Sequence, residues 1–181
     1  MKNKMTNIGI WLGSSLALVL VDQYTKLMAT AHLRGREPFV ILDGVFELLY
    51  SENRGAAFGM LQGKQFFFFV VAAAVFAAAA YAMWRMPSWS NHRYLGLKVC
   101  TIMITAGALG NMVDRLTLGY VVDFLYFSLI DFPIFNVADI YVTTATAALL
   151  VLICFFYKEQ DLELFQWRQA GKEKGQKGEQ D

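Results

Sequence analysis

Cysteine, histidine and proline are scarce in this chain of 181 residues, which contains two, two and three of them. Cys100 and Cys154 both lie in apolar stretches, and two cysteines cannot build a disulfide framework. His32 and His92 are far apart in sequence, so we expect no metal site and no cofactor. Charged residues make up only 17 % of the chain, and a net charge of +1 provides no basic field for nucleic acid. A disordered chain, a disulfide-built scaffold and a nucleic-acid-binding protein are therefore excluded.

Long apolar runs are abundant instead. Apolar residues make up 56 % of the chain, and the mean hydropathy is +0.39. About 20 apolar residues span a bilayer core as a helix, and these runs lack the period-two alternation of barrel strands. The sequence therefore predicts a mainly α membrane protein with four transmembrane helices. They cover residues of about 7–30, 66–85, 95–113 and 137–157.

Two further segments, at about 38–60 and 120–128, have the composition of β-strands. Asp43-Gly44 separates two apolar runs and is typical of a hairpin turn. Residues 121–127 are rich in β-branched and aromatic side chains, which favours a third strand. We expect these segments to form a small extracytoplasmic β-sheet on the membrane surface.

The basic residues are distributed unevenly around the predicted helices. Of the sixteen, two precede the first helix, three (Arg85, Arg93 and Lys98) lie from the end of the second to the start of the third, and five follow the fourth. Because Lys and Arg accumulate on the cytoplasmic side, both termini are predicted to be cytoplasmic. Residues 1–160 are expected to form a single transmembrane domain, and residues 161–181 a polar cytoplasmic tail.

Asp22 and Lys26 lie within the first predicted helix, where charged groups are costly and point to function by default. They are four residues apart with the acid first, which is the favourable order for an ion pair in a helix. Two interpretations stay open. The pair fixes the depth of the helix in the membrane, or it orients the loops above.

Asn53 and Gly55 belong to a stretch of small and polar residues before the second helix. Glycine permits close approach of the backbone, and the Asn53 amide offers a donor and an acceptor to a substrate backbone. A simple turn that leads into the second helix is equally compatible with this pattern.

Asn111 and Arg115 are four residues apart in the third helix and therefore share one face, which we expect to point into the bundle. Gly107 allows tight packing of this helix against a neighbour. An anchor at the membrane interface, formed by Asp114 and Arg115, is the alternative, but it does not explain a buried Asn111.

Asp123 lies in the third predicted strand, and Asp139 lies in the first turn of the fourth helix, where the helix dipole favours negative charge. Asn136 precedes Asp139 by three residues and can support its carboxylate. Two carboxylates within hydrogen-bond distance cannot easily both ionise, so one keeps a proton while the other acts as a base. Aspartic proteolysis requires such a pair, although two unrelated interfacial acids would give the same spacing.

Signatures of serine and zinc hydrolases are absent, since the chain has neither G-x-S-x-G nor H-E-x-x-H. Two other functions stay open. Intramembrane acids and an arginine suit a small proton-coupled transporter or channel, although the two halves of the chain show no repeat. A non-catalytic membrane adaptor is the other possibility, and for it both aspartates would be dispensable.

Five motifs, in this order, resemble those of the lipoprotein signal peptidases (signal peptidase II) of bacteria, and the resemblance extends from about Ile8 to Tyr157. The motifs are Asp22-Gln23-Tyr24-Thr25-Lys26, Asn53-Arg54-Gly55-Ala56-Ala57-Phe58, residues 107–115, Val121-Val122-Asp123-Phe124 and Phe135-Asn136-Val137-Ala138-Asp139.

The resemblance implies a four-helix protease of the bacterial plasma membrane, active near its extracytoplasmic face without a cofactor. Its substrates would be diacylglyceryl-prolipoproteins, cut before the lipidated cysteine within membrane lipid, and globomycin-type compounds would inhibit it. Asp123 and Asp139 would be the catalytic pair. Asn53, Asn111, Arg115 and Asn136 would line the site, and Asp22 and Lys26 would stabilise its periphery.

Overall fold

Four long helices form the body of the protein in the computed structural model, which describes residues 2–55 and 64–165. Each helix is long and apolar enough to cross a membrane, which confirms the predicted four-helix fold class. They are α1 (Lys2–Leu33), α2 (Gln65–Arg85), α3 (Leu95–Thr117) and α4 (Val137–Val151), and a wider π-helical turn, Leu152–Phe156, continues α4.

Helix α3 occupies the centre of the bundle and contacts the other three helices. Within the most apolar part of each span, 44 % of α3 is buried, against 28 % for α1 and 11 % for α2 and α4. The outer helices instead expose large apolar side chains, such as Phe66 on α2 and Leu150 on α4. Apolar side chains on the outside of a helical bundle are suited to contact with lipid.

Three antiparallel strands join the bundle at one end, which we call the sheet end. The strands are β1 (Phe39–Leu42), β2 (Phe46–Asn53) and β3 (Val121–Tyr126), in the order β1-β2-β3. The predicted hairpin is confirmed, and Gly44 takes the left-handed conformation (φ 66°) that its turn requires. Residues 56–60 of the predicted strand region lie outside the described residues.

At the opposite end, an apolar cluster that includes Trp11, Met83 and Leu97 fastens α1, α2 and α3 together. Lys98 is fully buried beside this cluster, and its Nζ donates a hydrogen bond to the Ser88 carbonyl at 2.8 Å. After α4 the chain turns back, and Asp161 forms an ion pair with Arg93. Residues 166–181 of the predicted polar tail lie outside the described residues.

Candidate active site

Four elements converge at the sheet end: the last turns of α3, the first turn of α4, the end of β2 and the start of β3. Between them lies a cavity of about 810 Å³. We call its polar lining side chains the polar wall, and its apolar lining side chains from α2 and α3 the apolar wall. The polar wall includes Asn53, Asn111, Arg115, Asp123 and Asp139, and the apolar wall includes Phe68, Val71, Val75, Ile104 and Met112.

Asp123 projects from β3 into this cavity and is only 2 % exposed. The Asn136 amide donates a hydrogen bond to its Oδ1 at 2.6 Å, and the Asn53 amide donates one to its Oδ2 at 3.0 Å. Both donors are neutral. Burial, followed by the negative charge of Asp139, raises the pKa of Asp123 from 3.8 to about 7. Asp123 therefore retains its proton close to neutral pH.

Asp139 lies in the first turn of α4 and is held by groups from two elements. The Asn136 backbone N–H donates to its Oδ2 at 3.2 Å, and the Asn111 amide donates to its Oδ1 at 2.8 Å. In return, the Asn136 side-chain oxygen accepts from the Asp139 backbone N–H at 3.0 Å, which completes a capping box. The three-residue spacing of Asn136 and Asp139 thus supports the carboxylate as the sequence suggests.

Asn136 links the two acids directly. Its backbone N–H holds Asp139, while its side-chain amide holds Asp123 and also donates to the Asn111 oxygen at 3.1 Å. Because Asn136 is fully buried and caps α4, it has little freedom to move. One residue, through its backbone and its side chain, therefore fixes the position of each carboxylate relative to the other.

Arg115 lies on the polar wall of the cavity but forms no ion pair with a carboxylate in the described part of the chain. Its guanidinium donates to the Asn111 carbonyl at 3.2 Å and to the Gly55 carbonyl at 3.0 Å. It also lies 4.1 Å from the centre of the Phe68 ring. These contacts tie α2, α3 and the end of β2 together around the cavity.

A second pair of acids, Asp22 and Asp114, lies behind the cavity on either side of Lys26. The Lys26 Nζ is 2.9 Å from Asp22 Oδ2 and 3.0 Å from Asp114 Oδ2, and it also donates to the Asn111 oxygen at 2.9 Å. Asp22 and Lys26 are 0 % and 3 % exposed. They form the ion pair that their spacing predicts and do not line the cavity, and the role expected of them, to stabilise the periphery of the site, stays a prediction.

Asp22, Lys26 and Asp114 form an ionic cluster. Each acid of this ionic cluster also accepts a hydrogen bond from a backbone N–H next to one acid of the cavity. Asp22 Oδ1 accepts from the Ala138 N–H at 2.9 Å, and Asp114 Oδ2 accepts from the Val122 N–H at 3.0 Å. Ala138 immediately precedes Asp139, and Val122 immediately precedes Asp123. The ionic cluster therefore supports both cavity carboxylates from behind.

Sequence reasoning missed Asp114, which it considered only as part of an interfacial anchor with Arg115. Asp114 is 2 % exposed and receives hydrogen bonds from the Gln23 amide as well as from the backbone of β3. A charged residue within the third apolar helix was the available signal. Its partners could not be found in this way because they lie on α1 and β3, far away in sequence.

Two glycines of α3 permit this arrangement. A side-chain carbon at Gly107 would collide with the Ala138 carbonyl oxygen and with Val142, and one at Gly110 would lie 2.6 Å from Asp22 Oδ2. The predicted role of Gly107 in tight helix packing therefore has a definite partner in α4.

Asn53 and Gly55 are both at the cavity, and the Asn53 amide contacts two neighbours. Its nitrogen donates to Asp123, and its oxygen accepts from the Gly55 N–H at 3.0 Å. Asn53 thus orients Asp123, and because its nitrogen has a second N–H and its oxygen a second lone pair, a contact with a substrate backbone stays a prediction. The rest of this predicted motif, residues 56–59, lies outside the described residues.

The fold and the site define a multi-pass membrane protein with a carboxylate pair at one end of its bundle, and comparisons with known proteins assign a family. A family model described as signal peptidase (SPase) II matches residues 14–156. The chain belongs to the signal peptidase II family and is a protease, so neither the transporter nor the adaptor interpretation is supported.

Relatives that match by sequence are lipoprotein signal peptidases. The lipoprotein signal peptidase of Streptococcus thermophilus is 38 % identical over 146 residues, which cover 81 % of this chain and 91 % of the relative. The lipoprotein signal peptidase of Streptococcus pyogenes serotype M1 is 37 % identical over 148 residues, which cover 82 % and 93 %.

Solved structures agree with the fold. Two structures of a bacterial membrane enzyme, determined by the in meso method, have TM-scores of 0.72 and 0.71. Their sequence identities are 31 % and 30 %. The first match covers 81 % of this chain and 88 % of the solved chain, and the second match covers 83 % of this chain and 96 % of the solved chain.

Proposed function

We propose that this protein is an aspartic endopeptidase of the bacterial plasma membrane. It removes the signal peptide from diacylglyceryl-modified prolipoproteins by cutting before the lipidated cysteine. The observation that carries this proposal is the pair Asp123 and Asp139, which face one cavity and are both held by Asn136. A pair of acids that forms no ion pair with a described cation can share one proton at neutral pH, as aspartic proteolysis needs.

The reaction uses one water molecule and no covalent intermediate. The ionised carboxylate of the pair takes a proton from water, whose oxygen attacks the scissile carbonyl carbon, while the protonated carboxyl donates to the carbonyl oxygen. The resulting gem-diol collapses when its C–N bond breaks: the leaving amine takes a proton from one carboxyl of the pair, and a gem-diol hydroxyl gives its proton to the other carboxylate as the C=O bond forms again. The raised pKa of Asp123, about 7, supports a pair that holds one proton at the start.

The two walls of the cavity suit a substrate that is part peptide and part lipid. The apolar wall, with Phe68, Val71 and Met112, borders the acyl chains, whereas the polar wall borders the peptide. Each acyl CH₂ removed from water contributes about 0.8 kcal/mol, so the chains fix the cut at one depth in the membrane. Globomycin-type inhibitors would occupy this same cavity.

Orientation follows from the distribution of basic residues. The end of the bundle opposite the sheet carries the first residue of α1 and the last residues of α4, with Arg85 and Arg93 between them in sequence. Basic residues accumulate on the cytoplasmic side. Both termini are therefore cytoplasmic, and Asp123 and Asp139 lie near the extracytoplasmic face.

A gel-shift assay on a diacylglyceryl precursor in detergent tests the proposal. The parent should release the signal peptide and globomycin should block the release, whereas Asp123→Asn and Asp139→Asn should insert and fold but not cleave. Asp43→Asn is the matched control, because it makes the same change in an exposed turn where Asn-Gly is equally suitable. Cleavage at the parental rate by either cavity variant would refute the proposal.

A further inference from the structure

Strand β1 is apolar at every position and exposed at every position. Phe39, Val40, Ile41 and Leu42 are 62 %, 49 %, 53 % and 58 % exposed. A short 3₁₀ turn, Ser128–Ile130, lies beside the hairpin, since the Leu129 N–H contacts the Val45 carbonyl at 3.5 Å. This turn adds Leu129 and Ile130, which are 67 % and 68 % exposed. We call these six residues the apolar rim.

Both faces of β1 expose apolar side chains, so both faces suit apolar surroundings. Phe39 pairs with Leu48 and Val40 pairs with Glu47, so these neighbours point to opposite faces of the sheet. A protein partner that docked on one face would leave the other in water. A lipid layer surrounds a shallow strand on both sides, and apolar patches of this kind mark membrane or protein contacts.

The backbone of β1 limits how deep the strand lies. It is the edge of the described sheet, so its outer N–H and C=O groups have no strand beside them. Unpaired backbone groups are not tolerated in hydrocarbon, although they are satisfied among hydrated headgroups. The strand therefore suits the boundary between headgroups and acyl chains.

Strand β1 of the apolar rim follows closely in sequence on the last turns of α1, which expose apolar side chains suited to contact with lipid. Only residues 34–38 separate β1 from α1, whose last turns expose Tyr24 and Leu27 at 62 % and 61 %. Arg36 lies in this connection, is exposed, and forms no ion pair with any other described residue. Its charge complements lipid phosphates at the headgroup level.

We propose that the apolar rim inserts into the acyl–headgroup boundary of the leaflet at the sheet end, with Arg36 at the phosphates. The rim then fixes the height of the sheet above the bilayer. Because β2 pairs with β1 and carries Asn53, which holds Asp123, this height also sets the depth of the cavity.

Fluorescence quenching in lipid vesicles tests the insertion. In a background with Cys100→Ala and Cys154→Ser, Phe39→Cys and Val40→Cys are labelled separately with an environment-sensitive fluorophore. The vesicles contain phosphatidylcholine and phosphatidylglycerol, with a spin label at a shallow or a deep position of one acyl chain.

Both labels should be quenched several-fold more by the shallow spin label than by the deep one. Two reference positions calibrate the depth. Ala147→Cys, exposed near the middle of α4, should respond more to the deep label, and Ser90→Cys, exposed between α2 and α3, should respond to neither. Absence of quenching at both β1 positions would overturn the proposal. Quenching at only one of them would also overturn it, because it would indicate a protein on the other face.

A functional readout, which rests on the proposed protease activity, separates depth from folding. Phe39→Ser and Val40→Ser should each lower cleavage of a precursor in vesicles several-fold, yet leave cleavage in detergent unchanged, because a micelle imposes no fixed plane. Equal losses in both media would contradict the role in depth. Asp123→Asn should abolish cleavage without changing the quenching, so failure of the proposed activity and failure of the insertion are distinguishable.

Discussion

Two pairs of buried carboxylates lie close together at the sheet end, and they differ in what holds them. Asp22 and Asp114 share the Lys26 ammonium at 2.9 and 3.0 Å, whereas amides and a backbone N–H hold Asp123 and Asp139. The first pair shares one cation in direct contact and does not line the cavity. The second pair forms no ion pair with a described cation and faces the cavity of about 810 Å³.

In the proposed mechanism, this difference separates structural acids from reactive ones. A cation keeps a carboxylate ionised and fixed, which suits a support, whereas neutral amides orient a carboxylate without stabilising its charge as strongly. The supports then act through the backbone, because Asp22 holds Ala138 and Asp114 holds Val122, each one residue before a cavity acid. The protein thus places the ionic cluster directly behind the pair that the proposed mechanism uses for proton transfer.

The largest expected effect is the loss of cleavage when either cavity acid becomes an amide. Asp123→Asn and Asp139→Asn should each lose all detectable turnover, because the pair then has only one titratable member. Helical content, measured by circular dichroism in detergent, should stay at the parental level. Asp114→Asn provides the contrast. It should lose stability, yet retain measurable turnover. Complete loss of turnover in a folded Asp114→Asn protein would remove the distinction between the two pairs of acids.

Removal of the shared cation should give the largest loss of stability. Lys26→Met leaves two buried carboxylates without their shared cation, which should lower the free energy of unfolding by about 3–5 kcal/mol. Lys98→Met is the matched control, because Lys98 is also buried but donates only to the Ser88 carbonyl. Its cost should be about 1 kcal/mol. Denaturant titration in detergent measures both, and equal costs would contradict the role given to the ionic cluster.

A smaller effect is expected where α3 meets α4. Gly107→Ala places a carbon against the Ala138 carbonyl oxygen, which belongs to the backbone and cannot rotate away. The helices must separate, so stability should fall by about 1–3 kcal/mol and cleavage should fall with it. Gly13→Ala on α1 has nothing within 4 Å of the added carbon and should cost nothing. A harmless Gly107→Ala would show that the helices are less closely packed.

The smallest expected effect is a change in the rate of cleavage with pH. Because the pKa of Asp123 is raised to about 7, the pair keeps its proton below that pH and loses it above. Single-turnover cleavage should therefore decline by about tenfold per pH unit on the alkaline side. Asp43→Asn, which changes an acid far from the pair in sequence, should keep the same profile. An alkaline limb that starts well above this pH would argue against Asp123 as the proton donor.

Local patterns in the sequence predicted much of the architecture. The length of the apolar runs indicated four spans, Asp43-Gly44 indicated the hairpin, and the spacing of Asn136 and Asp139 indicated mutual support. Each of these depends on residues that are near one another in the chain, where helix and turn geometry alone fixes the distance.

The contacts that define the site were not predictable in this way. The spacing of Asp22 and Lys26 indicated an ion pair, yet it could not show that Lys26 also reaches Asp114 and Asn111 on α3. Nor could the spacing of Asn136 and Asp139 show that the Asn136 side chain turns to Asp123. Such contacts depend on the rotation and height of one helix against another, which packing at residues such as Gly107 decides.

The proton on the carboxylate pair provides the most direct test of the central claim, that a buried acid without a described ion-pair partner stays protonated near neutral pH. Infrared difference spectra of the parent, with Asp123→Asn as the reference, should contain the C=O stretch of a protonated carboxyl that disappears as the pH rises through about 7. A band that disappears close to the ordinary value of 3.8, or no band assignable to Asp123, would contradict the account.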